Sequence, residues 1–287
     1  MTRLLPALLV AWFSCCAASA ADGPPEVWAV GDSIRINPMN GRAWEANPMI
    51  FPDAVERDYS KSSLVWDGAA KAVSLRAARN EIVSFQIIVA RTGSAPLKKV
   101  NVEIGGLAGP NGAKIGSANI DLFKEWYVNV DKRSGQNFSL GTGWYPDALI
   151  PCSHFTGKLF PKSFILPFDI PDRLNNISLE QQNQAIWVDI YVPRDRALAP
   201  PGAYQGPVTI TSSAGSATVQ VSLNVWDFAL PDENHVGGDI HTDTEIHTFT
   251  PELELKYYQL LRKHRLVMGE IGYAPDIQVA GSKVDID

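Results

Sequence analysis

Cysteine is scarce: the 287 residues hold three, and two of them, Cys15 and Cys16, lie inside the first twenty positions. If that stretch is removed, Cys152 stands alone and no internal disulfide can form, so the fold must be held by its core. Basic residues are also in short supply, 25 against 31 acidic ones, for a formal net charge of −6 with no basic block. That balance argues against a nucleic-acid partner. Past the first twenty residues no apolar run approaches the length of a membrane span. Nothing in the composition calls for a cofactor.

What is present begins with an export leader. Arg3 supplies a positive start, Leu4 to Phe13 an apolar stretch too short to span a bilayer, and Ala18-Ser19-Ala20 a small-residue cleavage pattern. Residues 1–20 are therefore expected to be a signal peptide cleaved near Ala20, with the mature protein periplasmic or extracellular. A lipid anchor would need an aliphatic residue ahead of Cys15 or Cys16, where Trp12 and Phe13 stand instead. Residues 21–62, rich in Pro, Asn and Gly, read as an extended leader with one short strand at Glu26 to Val30.

A ladder of strands follows. Ser63 to Trp66, Ala72 to Arg76, Ile82 to Ala90, Lys99 to Ile104 and Ile120 to Val130 are each bounded by turn residues. Alternation is cleanest in Ile82 to Val89, where Val83, Phe85, Ile87 and Val89 make one wholly apolar face. Ala185 to Val192 adds a strand, and Val208 to Ser212 and Thr218 to Phe228 flank Ser213-Ala214-Gly215 as a hairpin. Trp66, Trp126, Trp187 and Trp226 fall on these strands and are expected in the core. The set predicts a mainly β fold, an antiparallel β-sandwich over residues 63–231. From Asp131 to Asn183 the ladder breaks, and this aromatic-rich stretch is expected to be an ordered excursion folded over the sandwich.

At Pro231 the pattern changes. Gly238 to His247 reads as a strand and Thr250-Pro251-Glu252 as a helix start with an N-cap, a first-turn Pro and an acid. The helix should run to about Arg265, with Leu253, Tyr257, Leu260 and Leu261 as an apolar stripe that needs cover. Val267 to Tyr273 supplies another strand, and beyond Asp276 the polar tail shows no terminating element. Residues 232–287 are thus expected to be the incomplete start of a β/α domain, because one such unit cannot bury both faces of its strands.

Several blocks carry a resemblance. Val73-Ser74-Leu75-Arg76-Ala77-Ala78-Arg79-Asn80-Glu81 with Phe85-Gln86, Tyr145 to Pro151, Trp187-Val188-Asp189, Pro201 to Gly206 and Phe228-Ala229-Leu230-Pro231 resemble the amino-terminal region of the glycoside hydrolase family 123 relatives, including the domain of unknown function 4091. The resemblance implies an exported protein with a sandwich followed by a (β/α)8 barrel, of which residues 232–287 would be the truncated start. It also implies hydrolysis of N-acetylhexosaminides or related glycans through an adjacent Asp-Glu pair. The resemblance places that pair further along the barrel than these residues reach, so none of them is assigned those roles.

Candidate sugar contacts can nevertheless be named. Asp239, His241, Asp243, Glu245 and His247 recur at period two and share one face of a strand. His241, Asp243 and Glu245 could accept hydrogen bonds from sugar hydroxyls, or offer metal ligands, or simply form a solvated face. No second ligand cluster supports a metal, and none is assigned. Trp144 and Tyr145 could form an aromatic platform with Asp147 beside it to orient a glycan, or could anchor a long loop. Asn80-Glu81 reads as a turn with structural hydrogen bonds, and Cys152 as a buried thiol. The chain is read as a glycoside-hydrolase-like sandwich, with a non-catalytic carbohydrate- or protein-binding sandwich as the alternative and a structural module docking a separate chain as a third.

Overall fold

The computed structural model describes residues 23–46, 57–133, 141–152, 165–175, 177–233, 249–266, 277–280 and 283–286. Along the chain the strands are β1 (Glu26–Gly31), β2 (Trp66–Asp67), β3 (Ala72–Arg79), β4 (Glu81–Ala90) and β5 (Leu97–Ile104). Then come the short β6 (Gly106–Ala108) and β7 (Lys114–Gly116), followed by β8 (Ile120–Val130), β9 (Gly143–Pro151) and β10 (Phe168–Ile170). The long β11 (Asn183–Val192), β12 (Gly202–Ser212) and β13 (Gly215–Ala229) complete the sandwich. Helix α1 (Pro251–Lys263) and strands β14 (Ile277–Ala280) and β15 (Lys283–Ile286) follow.

Two sheets result. The first has the order β1-β4-β11-β8-β9, the second β10-β5-β12-β13-β3-β2 with β6 and β7 attached beside β12. Register assigns the faces. In β4, Phe85 lies opposite Val188, Ile87 opposite Ile186 and Val83 opposite Ile190, so the apolar face read from the sequence continues across β11. It meets Tyr204, Val208 and Ile210 of β12 and Val219, Val221, Leu223 and Val225 of β13 in one buried cluster. Each large apolar side chain there contributes about 1.5–3 kcal/mol by leaving water.

The outer face of the first sheet is also covered on one side. Trp28 pairs with Ile88 and Val30 with Gln86, and all four are buried. The cover is the segment after β1: the Gln86 amide donates to the carbonyls of Ile34 at 2.7 Å and Gly31 at 3.1 Å, and Ile36 is fully buried. The residues read as a leader thus supply both an edge strand and a lid.

Several expectations are corrected. The second sheet is mixed, because β13 runs parallel to β3 while β12 and β13 form the expected hairpin. The stretch from Asp131 to Asn183 is not all excursion: β9 pairs along β8, and β10 pairs β5. Pro146 and Pro151 are tolerated in β9 because it is an edge strand, where missing N–H donors cost no ladder bond. Of the four strand tryptophans only Trp66 is core; Trp126 and Trp187 are half-buried and Trp226 is 41% exposed. The reason is parity: Val219 to Val225 point inward at every second position, so Trp226 must point out. In the tail beyond Asp276, β14 and β15 pair antiparallel. The strands expected at Gly238 to His247 and Val267 to Tyr273 lie outside the described residues.

Helix α1 starts as read, with the Thr250 hydroxyl accepting from the Leu253 N–H at 3.3 Å and Pro251 at the first turn. Its packing differs. Glu254 is buried and Tyr258 and Leu261 half-buried, while Leu253, Tyr257 and Leu260 are exposed, Tyr257 stacking on Phe249 at 4.7 Å. Among the described residues no helix is long and apolar enough to cross a membrane.

The first sheet also carries a charge on its inner face. Lys124 lies opposite Ile186 and is fully buried, its ammonium bonded to the equally buried Asp172 and 4.9 Å from the centre of the Phe168 ring. Desolvation lowers the Lys124 pKa, and the Asp172 charge opposes that shift. Replacing Asp172 with Ala removes the buried ion-pair partner of this ammonium and is expected to cost about 3–5 kcal/mol in urea unfolding. The double change Lys124→Met, Asp172→Leu should recover most of that loss; a double variant as unstable as Asp172→Ala would show that the pair is not the source.

Candidate functional site at the sandwich corner

Two of the family-like blocks, Val73 to Glu81 and Phe228 to Pro231, meet at one corner. At Arg79-Asn80-Glu81 the chain leaves the second sheet and enters the first, and Asn80 takes the left-handed conformation, φ 61°, that Asn tolerates better than most residues. The Glu81 carboxylate accepts from the Ala78 N–H at 2.6 Å and holds the turn. All four polar groups of Asn80 are then engaged. Its N–H donates to Val192 O at 2.7 Å, and its side-chain amide donates to Leu230 O at 2.9 Å and to Asp232 at 2.8 Å. Its side-chain oxygen accepts from the Tyr191 hydroxyl at 3.0 Å, and its carbonyl accepts from Arg265 at 2.5 Å.

The same Arg265 donates to Pro231 O at 2.5 Å, and Arg194 pairs with Asp232. Lys263 reaches Asp121 at 3.1 Å, and His264 lies 4.0 Å from Asp189. The basic C-terminal end of α1 thus both complements the helix dipole and ties the helix to the sheet. A cavity of about 520 Å³ opens between them, lined by Asn80, Tyr191, Asp232, Gln259 and Arg262 among others.

Beside this corner Ser84, Asp189 and His264 come together without forming a nucleophile. The Ser84 hydroxyl donates to Asp189 at 2.6 Å, and the Trp187 indole donates to the same oxygen at 2.6 Å. The carboxylate sits between Ser and His, so no imidazole is positioned to take the serine proton. Among the described residues no three His, Cys, Asp or Glu side chains gather as a metal site.

The residues singled out from the sequence separate. Trp144 and Tyr145 are neighbours on β9 and so face opposite sides, and they do not form one platform. Tyr145 stacks instead on Trp44, centroids 4.1 Å apart at 18°, while the Trp44 indole donates to Trp144 O at 3.2 Å. Gly143 makes room, since a Cβ there would come within 2.8 Å of the Trp44 ring. Asp147 is exposed further along the strand. His241, Asp243 and Glu245 lie outside the described residues. Asn80-Glu81 is the structural turn that was read, but Tyr191, Arg265 and Asp232 gave no signal, because a strand-end Tyr and two surface charges look ordinary until the chain folds back on itself.

Cys152 is buried, and burial pushes its thiol up to about 12, which leaves it an inert core residue. Glu125, on β8, is buried, one of its carboxyl oxygens has no hydrogen-bond partner among the described residues, and desolvation raises it to about 8.

The chain belongs to a defined family. A sequence profile described as the glycoside hydrolase 123 N-terminal domain matches residues 54–212, more than half of the chain. No curated protein matches. Among solved structures the chain is similar to a family 123 glycoside hydrolase from Clostridium perfringens, at 20% identity over 67% of this chain and TM-score 0.45. The match spans 30% of that enzyme's length. It is also similar to the CooA pilin subunit from enterotoxigenic Escherichia coli, at 13% identity over 57% of this chain and 94% of that one, TM-score 0.27. These superpositions are partial, and the sandwich assignment rests on the strand ladders themselves.

Asn80→Ala removes three side-chain hydrogen bonds and leaves a Cβ residue at positive φ, so it is expected to cost about 2–4 kcal/mol. Asn80→Gly, which relieves the backbone but not the bonds, should recover about 1 kcal/mol of that by the same urea titration. The Glu125 carboxyl ionises near 4.5 when unfolded but only near 8 when folded, so between those values the unfolded state binds fewer protons. Stability contributed at this site therefore falls as pH rises through that window, by at most about 1.4 kcal/mol per pH unit, and is level above it. Glu125→Gln should flatten the slope; an unchanged pH profile would sink the assignment.

Proposed function

We propose that this chain is the sandwich portion of an exported glycoside-hydrolase-like protein, and that its role is to carry and orient the β/α part that follows. The single observation behind this reading is the Asn80 corner: within a glycoside hydrolase 123 N-terminal domain, one residue ties β3, β11, the Leu230-Pro231 exit and the end of α1 together. A segment so fixed at its exit suits a scaffold for a second domain. The parent activity proposed is hydrolysis of N-acetylhexosaminides or related glycans, with His241, Asp243 and Glu245 as sugar contacts at the start of the following domain. The leader at residues 1–20 supports export.

The chemistry is not assigned to the sandwich. Glycosidase carboxylates must flank the scissile bond, or act with the substrate's own acetamide. The two carboxylates that share a cleft, Asp169 and Asp172, are each already bound to a lysine ammonium. A second reading, a carbohydrate-binding sandwich, is favoured by the Trp44 and Tyr145 stack on the edge strand β9.

The expected outcome is background turnover of chromogenic N-acetylhexosaminides by the purified chain, since on this proposal the general acid/base assistance, worth about a hundredfold to ten-thousandfold, comes from the part that follows the sandwich. Turnover that disappears in Glu245→Gln would overturn this and put a catalytic carboxylate in the chain. Tryptophan fluorescence titrated with N-acetylhexosamine oligosaccharides separates the second reading: saturable quenching lost in Tyr145→Ala supports a binding module.

A further inference from the structure

At the β10 edge of the second sheet a cleft of about 420 Å³ lies between the β4–β5 connection and the segment from Pro167 to Leu179. That volume falls in the range of small-molecule sites. Its charges do not cancel. Lys98 pairs with Asp169 at 3.1 Å, and Asp169 also accepts from the Lys99 N–H at 2.9 Å. Asp172, on the floor, is bonded to buried Lys124 and accepts from the Leu174 N–H at 3.1 Å. Both carboxylates are therefore occupied. Arg91 and Arg173 remain, and among the described residues neither guanidinium forms an ion pair.

Arg91 is held in place without being neutralised. Its guanidinium donates to Ser94 O at 2.7 Å and reaches Leu179 O at 3.5 Å, so one planar cation bridges the two walls. Arg173 is exposed and, among the described residues, forms no hydrogen bond or ion pair. In a chain of net charge −6, two uncompensated arginines in one concavity are a local inversion of sign. Leu174 and Leu179, 56% and 64% exposed, and the exposed Pro167 put apolar surface at its mouth.

We propose that this cleft binds an acidic sugar unit, a hexose or hexosamine bearing a sulfate or carboxylate. The planar fork of an arginine matches either oxyanion, where a lysine offers only a point charge. The leucine and proline surfaces suit the C–H faces of a pyranose ring, which a bare anion does not need. The glycan part rests on the family reading above, and the anionic part on the cleft's own charge.

The test is calorimetric titration of the intact chain with N-acetylgalactosamine 4-sulfate, galacturonate, neutral N-acetylgalactosamine and inorganic sulfate. At least one acidic sugar should bind about tenfold or more tighter than the neutral one. That preference should shrink as ionic strength rises, and Arg173→Glu should abolish it. Which acidic sugar wins distinguishes sulfate from carboxylate recognition. Arg76→Ala, exposed on β3 and away from the cleft, should change nothing. Equal binding of neutral and acidic sugars, or a preference that survives Arg173→Glu, overturns the proposal. Inorganic sulfate binding as tightly as the sulfated sugar overturns its sugar component. Since Arg173 has no part in turnover of N-acetylhexosaminides, failure here leaves the scaffold reading standing, and failure of that reading is seen in the turnover assay instead.

Discussion

The hydrogen bonds of one asparagine govern how this protein ends one structural unit and begins the next. A sandwich must pass its chain from sheet to sheet, and each passage exposes backbone groups that neither ladder can satisfy. At Asn80 the passage is a single residue in the left-handed region, and its side chain spends its own donors and acceptor on chain segments far away in sequence. The exit at Leu230-Pro231 and the end of α1 are fixed against the same residue. Remove it, and the corner, the exit and the helix lose their common point.

Charge is distributed by the same logic of satisfaction. Lys124 occupies a position that pattern would give to an aliphatic residue, and it is tolerated because Asp172 and the Phe168 ring meet it. Helix α1 shows the converse: its polar end is docked through Lys263, His264 and Arg265, while three members of its apolar stripe face outward. The described contacts that tie this helix to the sandwich are made by its charged end, while Leu253, Tyr257 and Leu260 of the stripe stay exposed.

Long alternating strands were legible. β8 has the bounds its pattern implies, and the inward set of β4 is the one its apolar positions name. β9 was missed because two prolines and a glycine mask a strand that needs only one partner, and β10 because three residues between Pro167 and Pro171 carry no periodicity. The outward turn of Trp226 follows from strand parity alone, since it neighbours the inward Val225. The parallel pairing of β3 with β13 was not readable at all, since it depends on the path of the whole chain. The corner was half legible: Asn80 announced a turn, but its partners are separated from it by as many as 185 positions.

That parallel pairing has a mechanical meaning. Because β3 and β13 run the same way, Arg79 and Ala229 reach the same end of the sheet, and the chain leaves for α1 from there. Tension applied through whatever follows Pro231 is directed along the axis of β13, which lies between β12 and β3. Ladder hydrogen bonds stand across the strand direction, so this load shears both ladders at once instead of peeling them bond by bond. The exit strand is thereby seated as a tether, in the position within the sheet that best resists being drawn out.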